Sequence, residues 1–207
     1  LIPAAEKSGA IHKIGEYVFE EVCKFVSSKE FEELGLDYIE VNLSVAQCMH
    51  GDLADRILMI MNQYNVPTSR INLEITETAA SFSQRVMTDN LNKLSRAGVE
   101  FSLDDFGTGY SNMKRVVSLP LKIVKLDKSF VDEQANPKMW IFLQNTVKML
   151  KDMNMEIVVE GIETKEMVEA FSELKCDFIQ GYYFSKAISK DDFVKFILAA
   201  IKQKELV

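Results

Sequence analysis

The chain has 207 residues, 47% of them hydrophobic, which is enough for one substantial core, so one domain is expected over residues 1–207. The formal charge of -7 leaves no extended basic surface and argues against binding of a nucleic-acid polymer through its phosphates. Three widely spaced cysteines show no disulfide or zinc-ligand spacing, and no apolar run reaches the length of a membrane span, which together predict a cytoplasmic setting.

Apolar patterns predict alternating strands and helices along the chain. In chain order they predict a helix across 11–25, a strand at 38–42, a helix at 53–61, a strand at 71–74, a helix at 86–97, strands at 101–105 and 123–127, a helix at 138–153, a strand at 157–160, a helix at 165–174, a strand at 178–180 and a helix at 190–201. Gly98 is expected to end one helix, Asn136-Pro137 to begin another, and Ser189 to cap the last.

The alternation predicts an α/β fold with a parallel sheet and helices outside it. Every predicted strand ends in a polar side chain, which favours a TIM-type (β/α) barrel, because an open sheet collects its ligands at one switch point. A barrel of this kind has eight strands and typically about 250 residues, whereas six strands are predicted here. The chain also begins with Leu1 rather than Met, so two N-terminal strands are expected to be absent from it.

Carboxylates follow two neighbouring predicted strands. Glu74 ends one strand, Asp104 and Asp105 end the next, and Asn42 adds an amide oxygen on the strand before. Such carboxylates repel one another unless a proton or cation intervenes, and hard oxygen ligands suit Mg²⁺ or Mn²⁺. The alternative for any one of these residues is a capped turn or a satisfied loop backbone.

Lys125 and Asp127 alternate with apolar residues, so both are expected on the same face of their strand, toward the barrel interior or its rim. A structural Lys–Asp ion pair and a catalytic lysine are both open interpretations. Glu160 and Glu163 end the fifth predicted strand, where a carboxylate near a bound metal can take a proton from water. For Glu163 the alternative is a helix-entry residue that complements the helix dipole.

Three further features follow predicted strands. Gly107 and Gly109 lie in a sharp turn, where backbone can approach a ligand closely, although this pattern alone is a weak phosphate signal. Gln180 precedes Gly181-Tyr182-Tyr183, so an amide and aromatic faces are available to hold a purine, or the amide simply satisfies a loop. Glu77 is expected on the loop after Glu74, with an ordinary solvated glutamate as the alternative.

Six motifs resemble one known family. They are Asn42-Leu43-Ser44, Glu74-Ile75-Thr76-Glu77, Asp104-Asp105-Phe106-Gly107-Thr108-Gly109-Tyr110-Ser111, Lys125-Leu126-Asp127, Glu160-Gly161-Ile162-Glu163-Thr164 and Gln180-Gly181-Tyr182-Tyr183. In this order and spacing, from Leu1 to about Phe193, the chain resembles the bacterial EAL-domain cyclic di-GMP phosphodiesterases. The resemblance implies a β/α barrel that hydrolyses cyclic di-GMP to linear pGpG.

The resemblance also implies a two-metal site. Asn42, Glu74 and Asp104 resemble ligands of the first Mg²⁺ or Mn²⁺ ion. Asp104 and Asp105 resemble ligands of the second. A sensory or cyclase domain upstream in the parent protein, which could anchor it to a membrane, is implied as well.

The remaining roles follow in the same way. Glu160 resembles the general base, Lys125 the residue near the water and the scissile phosphate, and Asp127 its companion. Gln180 resembles a substrate or network contact, and Glu77 the glutamate that anchors a loop over the site and couples it to homodimerisation.

The chain also departs from the family pattern. The Glu-Ala-Leu stretch, whose glutamate is a metal ligand in the family, belongs before Leu1, so the chain by itself could be inert. Asn112-Met113 and Ala187 replace a usual Ser-Leu and a usual Pro. The alternative functions are therefore a catalytically inactive cyclic di-GMP receptor or, less simply, a barrel acting on another phosphate ester.

Overall fold

In the computed structural model, which describes residues 1–81, 85–108 and 113–204, six parallel strands form one sheet in chain order. The strands are β1 (Ile39–Leu43), β2 (Ile71–Thr76), β3 (Glu100–Phe106), β4 (Ile123–Leu126), β5 (Glu156–Val159) and β6 (Phe178–Ile179). Each predicted strand is present, close to its predicted bounds. Four residues singled out in the sequence lie outside the described residues: Gly109, Tyr110, Ser111 and Asn112.

Helices connect the strands. The described residues form α1 (Ile2–Ser8), α2 (Ala10–Val26), α3 (Lys29–Leu34), α4 (Val45–Cys48), α5 (Leu53–Gln63), α6 (Glu77–Ser81), α7 (Arg85–Arg96), α8 (Met113–Ser118), α9 (Lys128–Asp132), α10 (Pro137–Asp152), α11 (Lys165–Ser172) and α12 (Lys190–Lys204), with a 3₁₀ turn at Thr68–Arg70. The predicted caps are present: Asn136 accepts a hydrogen bond from the Lys138 amide at 3.1 Å, and Ser189 accepts one from the Asp192 amide at 3.3 Å. In the part of the chain that the structure describes, no helix is both long and apolar enough to cross a membrane.

The two faces of the sheet differ in chemistry. On β3, Phe101 and Leu103 join the hydrophobic core that the helices cover, whereas Ser102 and Asp104 face the opposite side. On that opposite side, Lys125 of β4 lies within 4 Å of carboxylates on β1, β2 and β3 and of one just after β5. Only a strongly curved sheet brings five consecutive strands around one side chain. The curvature confirms the predicted TIM-type α/β barrel.

The barrel is open between β1 and β6. A cleft of about 900 Å³ separates these two strands and is lined by both of them. Ile39 contributes from β1 and Phe178 from β6, and Phe193 and Phe196 of α12 form part of its wall. Among the described strands, β1 and β6 therefore lie on the two sides of the cleft and do not pair with each other.

Candidate metal and catalytic site

Three carboxylates predicted from separate strands converge at the carboxyl end of the barrel. Glu74 lies on β2, Asp104 on β3, and Glu160 directly follows β5. One oxygen from each lies within 4.8 Å of the others. Asn42 is the register partner of Glu74 on β1, so it lies one strand away on the same side of the sheet, with its side chain exposed.

Lys125 occupies the centre of this group. Its ammonium contacts Glu74, lies 2.7 Å from Glu160 Oε1, and lies 3.9 Å from Asp104 Oδ1. Burial by itself would lower the pKa of Lys125, but the charges and hydrogen bonds of Glu74 and Glu160 outweigh it and raise that pKa. Lys125 is therefore a fixed positive charge at neutral pH.

Carboxyl groups outnumber the single ammonium here. Burial raises the pKa of Glu74 to about 7 even though Lys125 opposes the shift, and burial likewise raises the pKa of Glu160. Asp104 Oδ1 is buried and has no hydrogen-bond partner among the described residues. A buried oxygen without a donor, next to two carboxylates that are costly to ionise, fits a hard divalent cation that takes oxygen ligands.

The loop after β3 continues the site. Asp105 has a positive φ of 56°, is partly buried, and has its pKa raised by burial and then by the neighbouring Asp104. Gly107 has a φ of 104°, and a Cβ there would lie 2.2 Å from the ring of Phe130. Only glycine fits this position, because both the backbone conformation and the space exclude a side chain.

Glu77 differs from its sequence prediction. It was expected on a loop, but it begins α6 and is buried at 9% exposure, so it is not a solvated glutamate. Its Oε2 accepts a hydrogen bond from the Gly107 amide at 2.9 Å. Glu77 therefore connects the end of β2 to the loop after β3, next to Asp105.

Asp127 does not form the ion pair with Lys125 that was one interpretation of the sequence. None of the ion pairs of Lys125 to the described residues involves it. Asp127 instead caps α9, accepting a hydrogen bond from the Ser129 amide at 2.9 Å. Its charge contributes to the raised pKa of Asp105, so Asp127 borders the site from the end of β4.

Glu163 and Gln180 lie at the periphery. The carboxylate of Glu163 is exposed and pairs with Lys128 Nζ at 2.6 Å, one residue before the N-cap of α11. Gln180 forms main-chain hydrogen bonds with Val159 and Ile162, while its side chain is exposed and lines the cleft between β1 and β6 with Tyr182. Neither residue belongs to the central carboxylate group.

Sequence reasoning missed a polar layer one step deeper in the barrel. Glu40, Asn72 and Ser102 precede Asn42, Glu74 and Asp104 by two residues on their strands. Ser102 Oγ lies 3.1 Å from Glu40 Oε1 and 2.7 Å from Asn72 Oδ1. The two-residue alternation of strands, applied backward from each predicted ligand, is the signal that identifies them.

Comparison with known proteins assigns the chain to a family. The family model described as EAL domain matches residues 1–187, most of the chain. The chain belongs to the EAL domain family. A solved structure of the PaMucR phosphodiesterase in complex with c-di-GMP matches this EAL chain with a TM-score of 0.84 and 31% identity, covering 93% of this chain and 78% of that one.

Curated relatives of this EAL chain are much longer. The oxygen sensor protein DosP of Escherichia coli is 32% identical over 92% of this chain and 24% of its own length. The bifunctional diguanylate cyclase/cyclic di-GMP phosphodiesterase MucR of Pseudomonas aeruginosa is 32% identical over 93% of this chain and 28% of its own length. The chain thus spans about a quarter of the length of these curated relatives.

Proposed function

We propose that this chain is a metal-dependent phosphodiesterase domain that hydrolyses cyclic di-GMP to linear pGpG. The observation that carries the proposal is the buried Asp104 oxygen without a hydrogen-bond partner, placed beside Glu74 and Glu160. The family assignment supports the reaction class, and the PaMucR phosphodiesterase that resembles this chain was solved with c-di-GMP. The convergence of Glu74, Asp104 and Glu160 favours this enzyme over an inactive receptor.

Four residues are proposed to hold the cations. Asn42, Glu74 and Asp104 would bind a first Mg²⁺ or Mn²⁺, and Asp104 and Asp105 would bind a second. Oxygen donors at the ends of adjacent strands are the ligand type these ions take. When bound, such ions polarise a phosphate and lower the pKa of water.

The proton acceptor is proposed to be Glu160. Burial raises the pKa of its carboxylate, which makes it a better proton acceptor than an ordinary glutamate, and it belongs to the carboxylate group. Before a cation binds, Lys125 is paired with Glu160 and Glu74 and supplies a positive charge beside them. Glu77 positions the loop that carries Asp105 through its hydrogen bond to Gly107.

The outer residues are proposed to contact substrate or support those that do. Gln180 and Tyr182 line the open side of the barrel, where an amide and an aromatic ring are available to a guanine. Asp127 and Glu163 stabilise the ends of the loops that enclose the site. We also propose a cytoplasmic homodimer fused to an upstream sensory or cyclase domain, with no nucleic-acid polymer as partner, in keeping with the charge of -7 and the much longer relatives.

Chromatographic detection of pGpG, with Mg²⁺ or Mn²⁺ added or removed by EDTA, tests the proposal. Asp104→Asn is expected to raise the Mg²⁺ or Mn²⁺ concentration needed for activity by about 10–100-fold. Glu160→Gln is expected to reduce turnover by about 10²–10⁴-fold with little change in cyclic di-GMP affinity. Asp152→Asn, at an exposed ion pair on α10, is the matched control and should leave turnover unchanged. Tight binding of cyclic di-GMP without any pGpG, with either metal, would identify a receptor instead.

A further inference from the structure

Glu40 has no role in the mechanism above, yet it lies next to the central lysine. Its Oε2 is 3.8 Å from Lys125 Nζ, and its side chain is 27% exposed, facing into the barrel. Glu40 is not a member of the group formed by Glu74, Asp104 and Glu160. It is a carboxylate within reach of the ammonium but outside the three that converge.

The polar layer holds Glu40 in place. The Ser102 hydroxyl carries one proton but faces two acceptors, Glu40 Oε1 at 3.1 Å and Asn72 Oδ1 at 2.7 Å. Asn72 is 1% exposed, and its Nδ2 has no partner among the described residues. Rotation of the Asn72 amide by a half turn resolves the conflict at Ser102: Nδ2 then donates to Ser102 Oγ, and Ser102 donates to Glu40, while Asn72 Oδ1 takes the position without a partner. The resulting chain of donors ends on the Glu40 carboxylate oxygen.

Lys125 and a divalent cation compete for the same oxygens. The ammonium is bonded to Glu74 and Glu160, two of the three carboxylates that converge. A cation bound by Glu74 and Asp104 would repel the ammonium, and Glu160 would have to turn from it to accept a proton from water. A buried ammonium that loses both partners is costly. Glu40 is the remaining carboxylate near Lys125. A shift of about 1 Å brings the 3.8 Å separation to the usual length of a charged hydrogen bond.

We propose that Glu40 is a positioning residue that receives the Lys125 ammonium when Glu74 turns to a divalent cation and Glu160 turns to the water that it would deprotonate. This inference rests on the proposed function, because it requires cation binding at the carboxylate group. Its consequence is that Glu40 strengthens metal binding without being a ligand. Without Glu40, Lys125 has no alternative partner and continues to occupy the Glu74 oxygen that the cation needs.

Titration of the 207-residue chain with MnCl₂, with free Mn²⁺ measured by electron paramagnetic resonance, tests this inference. Glu40→Gln is expected to weaken Mn²⁺ binding roughly fivefold to tenfold in the wild-type background. In a Lys125→Met background the same substitution should change the affinity by less than about twofold, because the residue it acts through is gone. Glu100→Gln is the matched control and should have no effect. It removes a carboxylate at the first residue of β3, which pairs with Lys122 Nζ at 2.8 Å.

The outcomes separate the inference from the function it rests on. A loss of equal size in both backgrounds would show that Glu40 attracts the cation by its charge alone, and the inference would be wrong. No loss in either background would also overturn it, while leaving metal binding intact. If the wild-type chain bound no Mn²⁺, the proposed function itself would fail. Ser102→Ala provides a second, milder variant, expected to reproduce part of the Glu40→Gln loss, and circular dichroism confirms that each variant is folded.

Discussion

Replacement of Lys125 by methionine should make the stability of this protein depend on metal. Lys125 is 5% exposed and is bonded to Glu74 and Glu160, so its removal leaves buried carboxylates without a counter-charge. Removing one partner of a buried ion pair costs about 3–5 kcal/mol. At about 2–4 °C per kcal/mol for a protein of this size, the melting temperature in EDTA should fall by about 6–20 °C.

The loss should also depend on pH. The pKa of Glu74 is raised from its usual value to about 7, so the folded protein holds this proton more strongly than the unfolded chain does. Stability of the metal-free protein therefore decreases as the pH rises from about 4.5 toward 7. Without Lys125 the carboxylates repel one another more strongly, and this decrease should become steeper.

Urea unfolding followed by circular dichroism, in EDTA and in saturating Mn²⁺, measures both effects. Because Mn²⁺ supplies positive charge to the same carboxylates, it should recover most of the stability that Lys125→Met removes. Lys122→Met is the control: Lys122 is 41% exposed and pairs with Glu100, so its loss should cost about 0–1 kcal/mol with or without metal. A Lys125→Met loss that is below about 1 kcal/mol, or identical in EDTA and Mn²⁺, would refute the electrostatic reasoning.

Two other predictions concern the loop and the thiols. Gly107→Ala should destabilise the protein by about 1–3 kcal/mol in the same urea assay, because its Cβ meets the Phe130 ring at a positive φ. Gly51→Ala, where the added carbon meets open space, should change stability by less than about 0.5 kcal/mol, and equal effects would contradict this account. Cys48 and Cys23 are fully buried, with pKa values raised by burial to about 12 and about 11. Mass spectrometry after iodoacetamide treatment should therefore find them unmodified in the native protein and modified in urea.

Much of the fold was predictable because strands buried on one side and long amphipathic helices leave strong patterns. The run at 101–105 alternates apolar and polar residues, and it became β3 with little change in bounds. Short helices were missed: α4 and α6 span four and five residues, too few turns for a helical period to be visible. The misplacement of Glu77 has the same cause, since it begins one of these short helices.

The site was predictable to the extent that it follows strand ends. Glu74, Asp104 and Glu160 were expected together because parallel strands bring their carboxyl ends to one edge, and the structure places them there. What Lys125 contacts could not be derived from spacing. The nearby Asp127 looked like a natural partner, but the curvature of the sheet brings carboxylates from other strands closer.

The cleft between β1 and β6 has a practical consequence for handling this protein. In the part of the chain that the structure describes, each of these outer strands pairs on one side only, which leaves a rim of main-chain donors and acceptors. Such rims can pair with a strand from another polypeptide, and the half-exposed Phe178 adds apolar surface that the contact would bury. Edge-to-edge association at high concentration is the expected consequence, and light scattering across a dilution series would measure it.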